Sequence, residues 1–440
     1  MRQTLAIGLV ALMCGAAAPG MARAAGAPAA GAPDAPLTLK QAVQLALHNS
    51  RDVALAEAQR RVSADDVQNQ RAQFGPNLFT GSGAVYTYGF PQTVGGAAPS
   101  IVNLSYTQTI FNRAARGQVN AARARLAGQT AAVVETRDDV IERTASAYLE
   151  LVAVRRSLAA QQAAQASAHR LVTLTRDLVT AGRKLPADAL RAELEAARLD
   201  QSLVQLEGRE GIVEGQLRAL LGLAPEAHVE VEETAGLPAV PAVPAAQLVA
   251  QTLKTNPSVR RAEDALQASR ATLAGARGAY WPSVALVGQY GLFGHFNNYD
   301  QYFQRFQRNN LNVGVQVQVP IFSAQTSAAA ALAASQVAEA DSRVAQQREA
   351  LTAQVSGEVQ VARQRRAALD VANLQDRLAA ETVRELTARY QAGFVSLSDV
   401  ERARLQQGDA TVQRVEARLA AQQAELALWK TTGRLDLLTQ

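Results

Sequence analysis

Asp188 and Asp399 lie 211 residues apart, each six residues after an Ala-Gly pair, Ala181-Gly182 and Ala392-Gly393. Carboxylates repeated around a narrow opening favour cations and can pair with basic neighbours, here Arg183 and Lys184. The smaller role open to them is that of a first-turn acid, stabilised by a helix N-terminus and otherwise solvated. Covalent chemistry finds no such pattern. His48, His169, His228 and His295 are scattered, without metal spacing or a nucleophile–base pairing. Asp138-Asp139 and Glu193/Glu195 fall where helical acids are usually exposed. There is no phosphate-cradling loop, so no nucleotide, metal or other cofactor is expected, and no enzymatic activity. Any work would consist of opening, closing and selecting, with energy supplied by a partner.

The 211-residue shift is general. It also relates Phe111 to Phe322 and Gly222 to Gly433, while Pro76 maps to Pro282 and Asn49 to Asn256 with shifts of 206 and 207. A tandem duplication whose landmarks keep their order makes each half one copy of the same structural unit. The boundaries expected are 37–222 for the first repeat and 246–433 for the second. A proline-rich linker, 223–245, joins them, and a C-terminal tail runs from 434 to 440. The linker, with Pro225, Pro238, Pro241 and Pro244, is expected to pack around the outside at mid-height.

Residues 1–24 have Arg2, an apolar stretch from Leu5 to Ala18, and Ala22-Arg23-Ala24 before Ala25, the layout of a cleavable secretory signal. Residues 25–36, rich in Ala, Gly and Pro, fit a flexible mature N-terminus. The only cysteine, Cys14, falls inside the signal, and Ala11-Leu12-Met13 before it makes a poor lipidation box. The formal charge of +5 falls to +3 without Arg2 and Arg23, and no basic run concentrates it, so nucleic acid is not an expected partner. No later stretch has the length of a membrane-spanning helix, so membrane contact must use strands.

Four segments alternate with period two: Leu78–Phe90, Ile101–Phe111, Ser283–Leu292 and Leu311–Phe322. Segments of about ten residues, apolar on one face and polar on the other, suit transmembrane barrel strands. A soluble sheet with one buried face alternates too. The aromatic residues decide for the membrane: Tyr86, Tyr88, Phe90, Phe111, Trp281, Tyr290, Phe293 and Phe322 bracket the segments in a chain with only 5% aromatics. Residues 294–310, with Phe296, Tyr299, Tyr302, Phe303 and Phe306, fit an outer loop.

The remainder reads as helix, rich in Ala, Leu, Gln, Arg and Glu. Thr38–Gln73 and Pro186–Leu221 would each span about 54 Å, against about 100 Å for Arg113–Thr180. The second copy repeats this with Ala245–Tyr280 and Leu397–Thr432 against Ser323–Gln391. Two short helices stacked end to end thus match one long helix in each half. Four strands cannot close a barrel in lipid. Three copies give twelve strands continuous with a helical barrel; two would give eight, with an interior nearly filled by side chains. The fold class expected is mainly α with a transmembrane β-barrel: a long antiparallel α-helical barrel continuous with four strands per chain, closed by trimerisation.

These residues resemble the TolC-type outer-membrane efflux proteins of Gram-negative bacteria over essentially the whole mature chain. The resemblance rests on Leu37-Thr38-Leu39-Lys40-Gln41-Ala42-Val43 leading to Ala46-Leu47-His48-Asn49, on Asn256-Pro257, and on Pro76 and Pro282. Val319-Pro320-Ile321-Phe322, the tip elements Ala392-Gly393, Ser396 and Asp399, and Leu220-Leu221-Gly222 with Thr432-Gly433 complete it. Thr109 stands where the first-copy strand exit usually has proline, Ser50 follows Asn49 in place of proline, and Val395 replaces a common basic residue. The resemblance implies a homotrimeric channel in the cell outer membrane with its helices in the periplasm, partnered by a periplasmic adaptor and an inner-membrane transporter. It places adaptor docking at the flanks of Gly182 and Gly393, including Phe394 and Ser396, next to the entrance at which the residues themselves suggest a gating role for Asp188, Asp399, Arg183 and Lys184. The membrane-interface aromatics would be Tyr86, Tyr88, Phe111, Trp281, Tyr290 and Phe322. Small-molecule efflux is the expected function, with type I polypeptide secretion the alternative. A periplasmic adaptor would carry a single hairpin, and a coiled-coil scaffold has no need of alternating segments.

Overall fold

In a computed structural model, residues 36–83, 100–232, 244–293 and 307–438 are described. The expected signal, Cys14, Tyr86, Tyr88, Phe90, Pro238, Pro241 and the loop aromatics from Phe296 to Phe306 lie outside them. Element order is α1 (Leu39–Asn49), α2 (Arg51–Ala72), β1 (Pro76–Gly83), β2 (Ser100–Phe111), α3 (Arg113–Thr180) and α4 (Pro186–Leu221). It continues with α5 (Ala245–Thr255), α6 (Pro257–Gly278), β3 (Ser283–Phe293), β4 (Asn309–Gln318), α7 (Ala324–Gln391), α8 (Leu397–Thr432) and a short 3-10 helix at Leu435–Leu438.

The helices begin and end where local chemistry dictates. Thr38 and Gln41 form a reciprocal capping box on α1. Asn112 Oδ1 accepts from the Ala115 amide to start α3, and Ser323 Oγ from the Thr326 amide to start α7. Neither long helix contains proline, so each runs unbroken for 68 residues. Among the described residues, the four glycines with positive φ follow the C-termini of α3, α4, α7 and α8: Gly182 (70°), Gly222 (69°), Gly393 (79°) and Gly433 (68°). At Gly182 the amide bonds to Val179 O, and the Arg183 amide reaches back to Leu178 O. At Gly393 the partners are Tyr390 O and, from Phe394, Arg389 O. This is the Schellman arrangement, which needs a left-handed residue.

Two expected helices are broken. Thr38–Gln73 divides at Ser50, whose extended backbone caps α2 through Oγ accepting from the Val53 amide. Ala245–Tyr280 divides at Asn256, before Pro257, which has no amide to continue the ladder. At each break an asparagine is held by the opposite end of its own half. Asn49 Nδ2 donates to Leu221 O at 2.7 Å, and Asn256 Nδ2 to Thr431 O at 2.9 Å. The duplication therefore extends to tertiary contacts.

In the helical layer α3 is central. Near the strands it is flanked by α2 and α6, near the tips by α4 and α8, and α7 lies beyond α6 and α8. The largest apolar core sits at mid-length, where Val43, Tyr148, Leu151, Leu217, Leu221 and Trp429 pack together. The described part of the linker belongs to this core. Leu223, Val229 and Val231 are buried there, and Leu37 forms a parallel bridge with Val231. Tyr148 Oη closes the junction, donating to Leu37 O at 2.7 Å and accepting from the Glu232 amide at 3.1 Å. The expected tail also folds inward: Leu435 and Leu438 are buried in the same core.

The strands form one antiparallel sheet in the order β1-β2-β3-β4. Compared with the sequence expectation, β1 starts earlier, at Pro76, and β4 stops at Gln318 rather than Phe322. Pro320 explains the early stop, since proline cannot donate to a ladder.

Candidate functional site

Three features could do work: the strand faces, the tips and the open edges of the wall.

The register sorts the sheet into two faces. Leu78 pairs with Tyr106, Tyr106 with Gly288, and Gly288 with Val313. The same face carries Leu104, Tyr290 and Leu311, then Leu286 with Val315 and Val284 with Val317. The other face carries Asn77, Thr107, Ser105, Gln289, Asn312, Asn103 and Gln316. Among the described strand residues there is no Asp, Glu, Lys, Arg or His. One face suits hydrocarbon and the other water, the division a transmembrane barrel requires. Of the girdle candidates, Tyr290 lies on the apolar face and its hydroxyl meets Asn309 Oδ1 at 3.1 Å. Phe111 ends β2, paired with Val284, and Trp281 precedes β3 beneath the Arg113 guanidinium, 3.9 Å from the ring centroid. Phe322 lies past the end of β4 and is 89% exposed.

Below the sheet, two helices meet through contacts only glycine permits. A Cβ on Gly117 would fall 2.2 Å from Gly275 Cα, and one on Gly278 2.8 Å from Arg113 Cβ. The start of α3 and the end of α6 thus touch backbone to backbone just below the strands.

At the tips Asp188 and Asp399 are each the third residue of their helix. Asp188 Oδ2 accepts from the Leu185 amide at 3.2 Å. Asp399 Oδ2 accepts from the Ser396 amide at 3.2 Å and from Ser396 Oγ at 2.5 Å. The remaining oxygens face arginines one turn on, Arg191 at 3.0 Å and Arg402 at 3.4 Å. Helix capping, the smaller role, is therefore present in both. The Ser396 hydroxyl, then its amide and the charges of Arg402 and Lys184, hold the Asp399 carboxyl below the ordinary aspartate range, against the opposing effect of desolvation. Lys184 acts on Asp399 within one chain, and it lines a groove with Asp188, Arg191 and Arg402 between α4 and α8. Phe394 is 81% exposed, and a Cβ on Gly182 or Gly393 would meet nothing, so backbone conformation alone demands glycine there.

Behind the tip lies an ion pair that the sequence did not signal. Glu401 of α8 is buried, and its two oxygens accept from Arg170 Nε and Nη2 of α3, each at 3.1 Å; Arg404 Nη1 adds a third bond at 3.1 Å.

The wall has two open edges. Large exposed apolar side chains on the helices concentrate at Leu55 and Val62 of α2, Leu190, Leu194, Val204 and Ile212 of α4, and Leu332, Val361, Val371, Leu374 and Leu378 of α7. These are the outermost helices of the layer, and β1 and β4 likewise leave unpaired edges.

A sheet with one lipid face and one water face, set on a layer of long paired helices, defines a wall segment of a membrane channel rather than a soluble domain. The chain belongs to the outer membrane efflux protein family, whose model matches residues 42–223 and 248–434, the two halves on either side of the linker. It is an outer-membrane channel protein with its helices in the periplasm, from a family of trimers that work with adaptors and inner-membrane pumps. Its structure is similar to that of the outer membrane protein VceC from Vibrio cholerae, with a TM-score of 0.75 and 19% identity over 90% of this chain and 96% of that one. It is also similar to the Campylobacter jejuni CmeC outer membrane channel, with a TM-score of 0.73 and 17% identity over 90% and 85% of the two chains. The open state of the Neisseria gonorrhoeae MtrE outer membrane channel gives a TM-score of 0.73 and 18% identity over 91% and 90%. No curated sequence matches the chain.

Proposed function

We propose that three copies of this chain close into one conduit that exports small molecules delivered by a periplasmic adaptor and an inner-membrane transporter. The observation that carries this reading is the placement of exposed apolar side chains on α2, α4 and α7, the two edges of the wall. Closing a ring buries α7 of one copy against α2 and α4 of the next, and pairs β4 with the next β1. Both remove surfaces that are costly to leave in water or lipid. The efflux description of the family is the support for small-molecule cargo, and type I polypeptide secretion is the alternative. The tips Gly182, Gly393, Phe394 and Ser396 receive the adaptor, and Asp188, Asp399, Arg183 and Lys184 line the entrance.

Native mass spectrometry of detergent-extracted protein, with planar-bilayer recording, tests the assembly. Three chains and discrete conductance steps are expected; a single chain without conductance overturns the reading. Deleting the gene separates the two cargo classes. Raised susceptibility to amphipathic compounds is expected, whereas loss of a secreted polypeptide with unchanged susceptibility would assign the alternative.

A further inference from the structure

Three large apolar side chains, Phe79, Val287 and Phe293, lie on the polar face, and of these Phe79 is the exposed one. Phe79 pairs with Ser105, which pairs with Gln289, which pairs with Asn312, so it lies on the polar face. Its neighbours along the strand on that face are Asn77 and Gly81. Phe79 is 66% exposed, whereas the other large exposed apolar side chains at paired positions of the sheet lie on the apolar face. Moving Phe79 to the lipid side would require a one-residue slip, which would send Leu78 to the water side. It stands three residues beyond Pro76, roughly 10 Å above the junction with the helices.

We propose that Phe79 is an aromatic contact point in the lumen of the barrel, present three times per channel, that meets the flat apolar surfaces of passing small molecules. The inference rests on the trimeric-channel reading above. The lumen around Phe79 is polar and uncharged, so an aromatic or apolar cargo finds there a surface that the surrounding Asn, Gln, Ser and Thr residues do not offer. Its ring face also attracts organic cations. Three phenyl groups projecting from a twelve-strand wall leave the passage open, since such a barrel is wider than the eight-strand limit at which side chains fill it.

The test uses the full chain in planar bilayers. Once the leader holding Cys14 is removed, Phe79→Cys supplies the only thiol. A membrane-impermeant charged methanethiosulfonate should lower the conductance of Phe79→Cys in up to three steps. Ser105→Cys should respond likewise, and Leu104→Cys on the apolar face should not. In the second arm tetraphenylphosphonium blocks the channel, with tetraethylammonium as the non-aromatic control. Phe79→Ala should shorten tetraphenylphosphonium blocks by roughly threefold to tenfold, Phe79→Trp should preserve them, and tetraethylammonium should not distinguish the three proteins. Conducting channels in which Phe79→Cys is unmodified while Ser105→Cys reacts, or in which Phe79→Ala leaves the aromatic block unchanged, overturn this inference alone. Wild-type protein that never conducts overturns the channel reading on which it rests.

Discussion

The Arg170–Glu401 pair permits a prediction with a built-in asymmetry. The Glu401 side chain is 2% exposed, but that of Arg170 is 49% exposed. Arg170→Ala removes two of the three hydrogen bonds to a buried carboxylate and leaves that from Arg404. Stranding a buried charge in this way costs about 2–4 kcal/mol, less than full loss of its partners because Arg404 remains. Glu401→Leu does the opposite: it removes the buried charge, and both arginines can turn to water. Its cost should be within about 1 kcal/mol of wild type, since apolar replacement of a buried ion is often neutral. Hydrogen–deuterium exchange of the segments around residues 170 and 401 reads this locally, without melting the whole assembly. At a tenfold change per 1.4 kcal/mol, Arg170→Ala should speed opening of these segments by roughly 30-fold to 1,000-fold. Glu401→Leu should change it less than about fivefold. Equal effects of the two substitutions would falsify the claim that burial of Glu401, and not the ion pair itself, sets the energetics here.

Gly117→Ala should cost about 1–3 kcal/mol by driving α3 from α6, visible as a lower midpoint for thermal unfolding; an unchanged midpoint would contradict the backbone contact. Tyr148→Phe should cost about 1–2 kcal/mol and expose the chain near Leu37 to protease, because it removes the hydroxyl that joins Leu37 to Glu232. Burial pushes the Tyr148 hydroxyl up to about 12, so its protonated form is favoured in the fold. Its contribution should be complete below about pH 10 and lost as pH rises towards 12, a step that Tyr148→Phe lacks in alkaline unfolding curves. Asp188→Asn with Asp399→Asn should weaken cation preference in reversal-potential measurements at low salt; an unchanged reversal potential would leave these residues as helix caps alone. Because the Asp399 carboxyl is held below the ordinary range, its stabilisation is present above that range. It is lost only as pH falls through the depressed value, so Asp399-dependent selectivity should persist into more acidic solution than an unperturbed aspartate allows.

The long helices and their turns were legible because their signals are local. Asn112, Ser323, Pro186 and the Ala-Gly pairs mark ends that do not depend on distant partners. Strand faces were legible from period-two alternation, most clearly in β4. The breaks carry local marks too, Ser50 as a cap and Pro257 without an amide, but helical composition continues across both, and the carbonyls that hold Asn49 and Asn256 lie more than 170 residues away along the chain. Gly117 and Gly275 look like ordinary helix-weakening residues until the two backbones are seen in contact. Glu401 is one acid among many on a charged helix, and only packing against Arg170 separates it from solvated neighbours. Phe79 passed as part of a weak alternating segment, because its face becomes readable only through its pairing with Ser105.

The uncharged strand faces have a further consequence. The described strands themselves carry no fixed charge and impose little ionic sorting along their own length, and the acids and bases of the hairpin ends stand about 100 Å away along the long helices. The proposed entrance and the strand stretch thus lie at opposite extremities. If the entrance works as proposed, changes at the hairpin ends can alter what is let in without disturbing the part embedded in lipid.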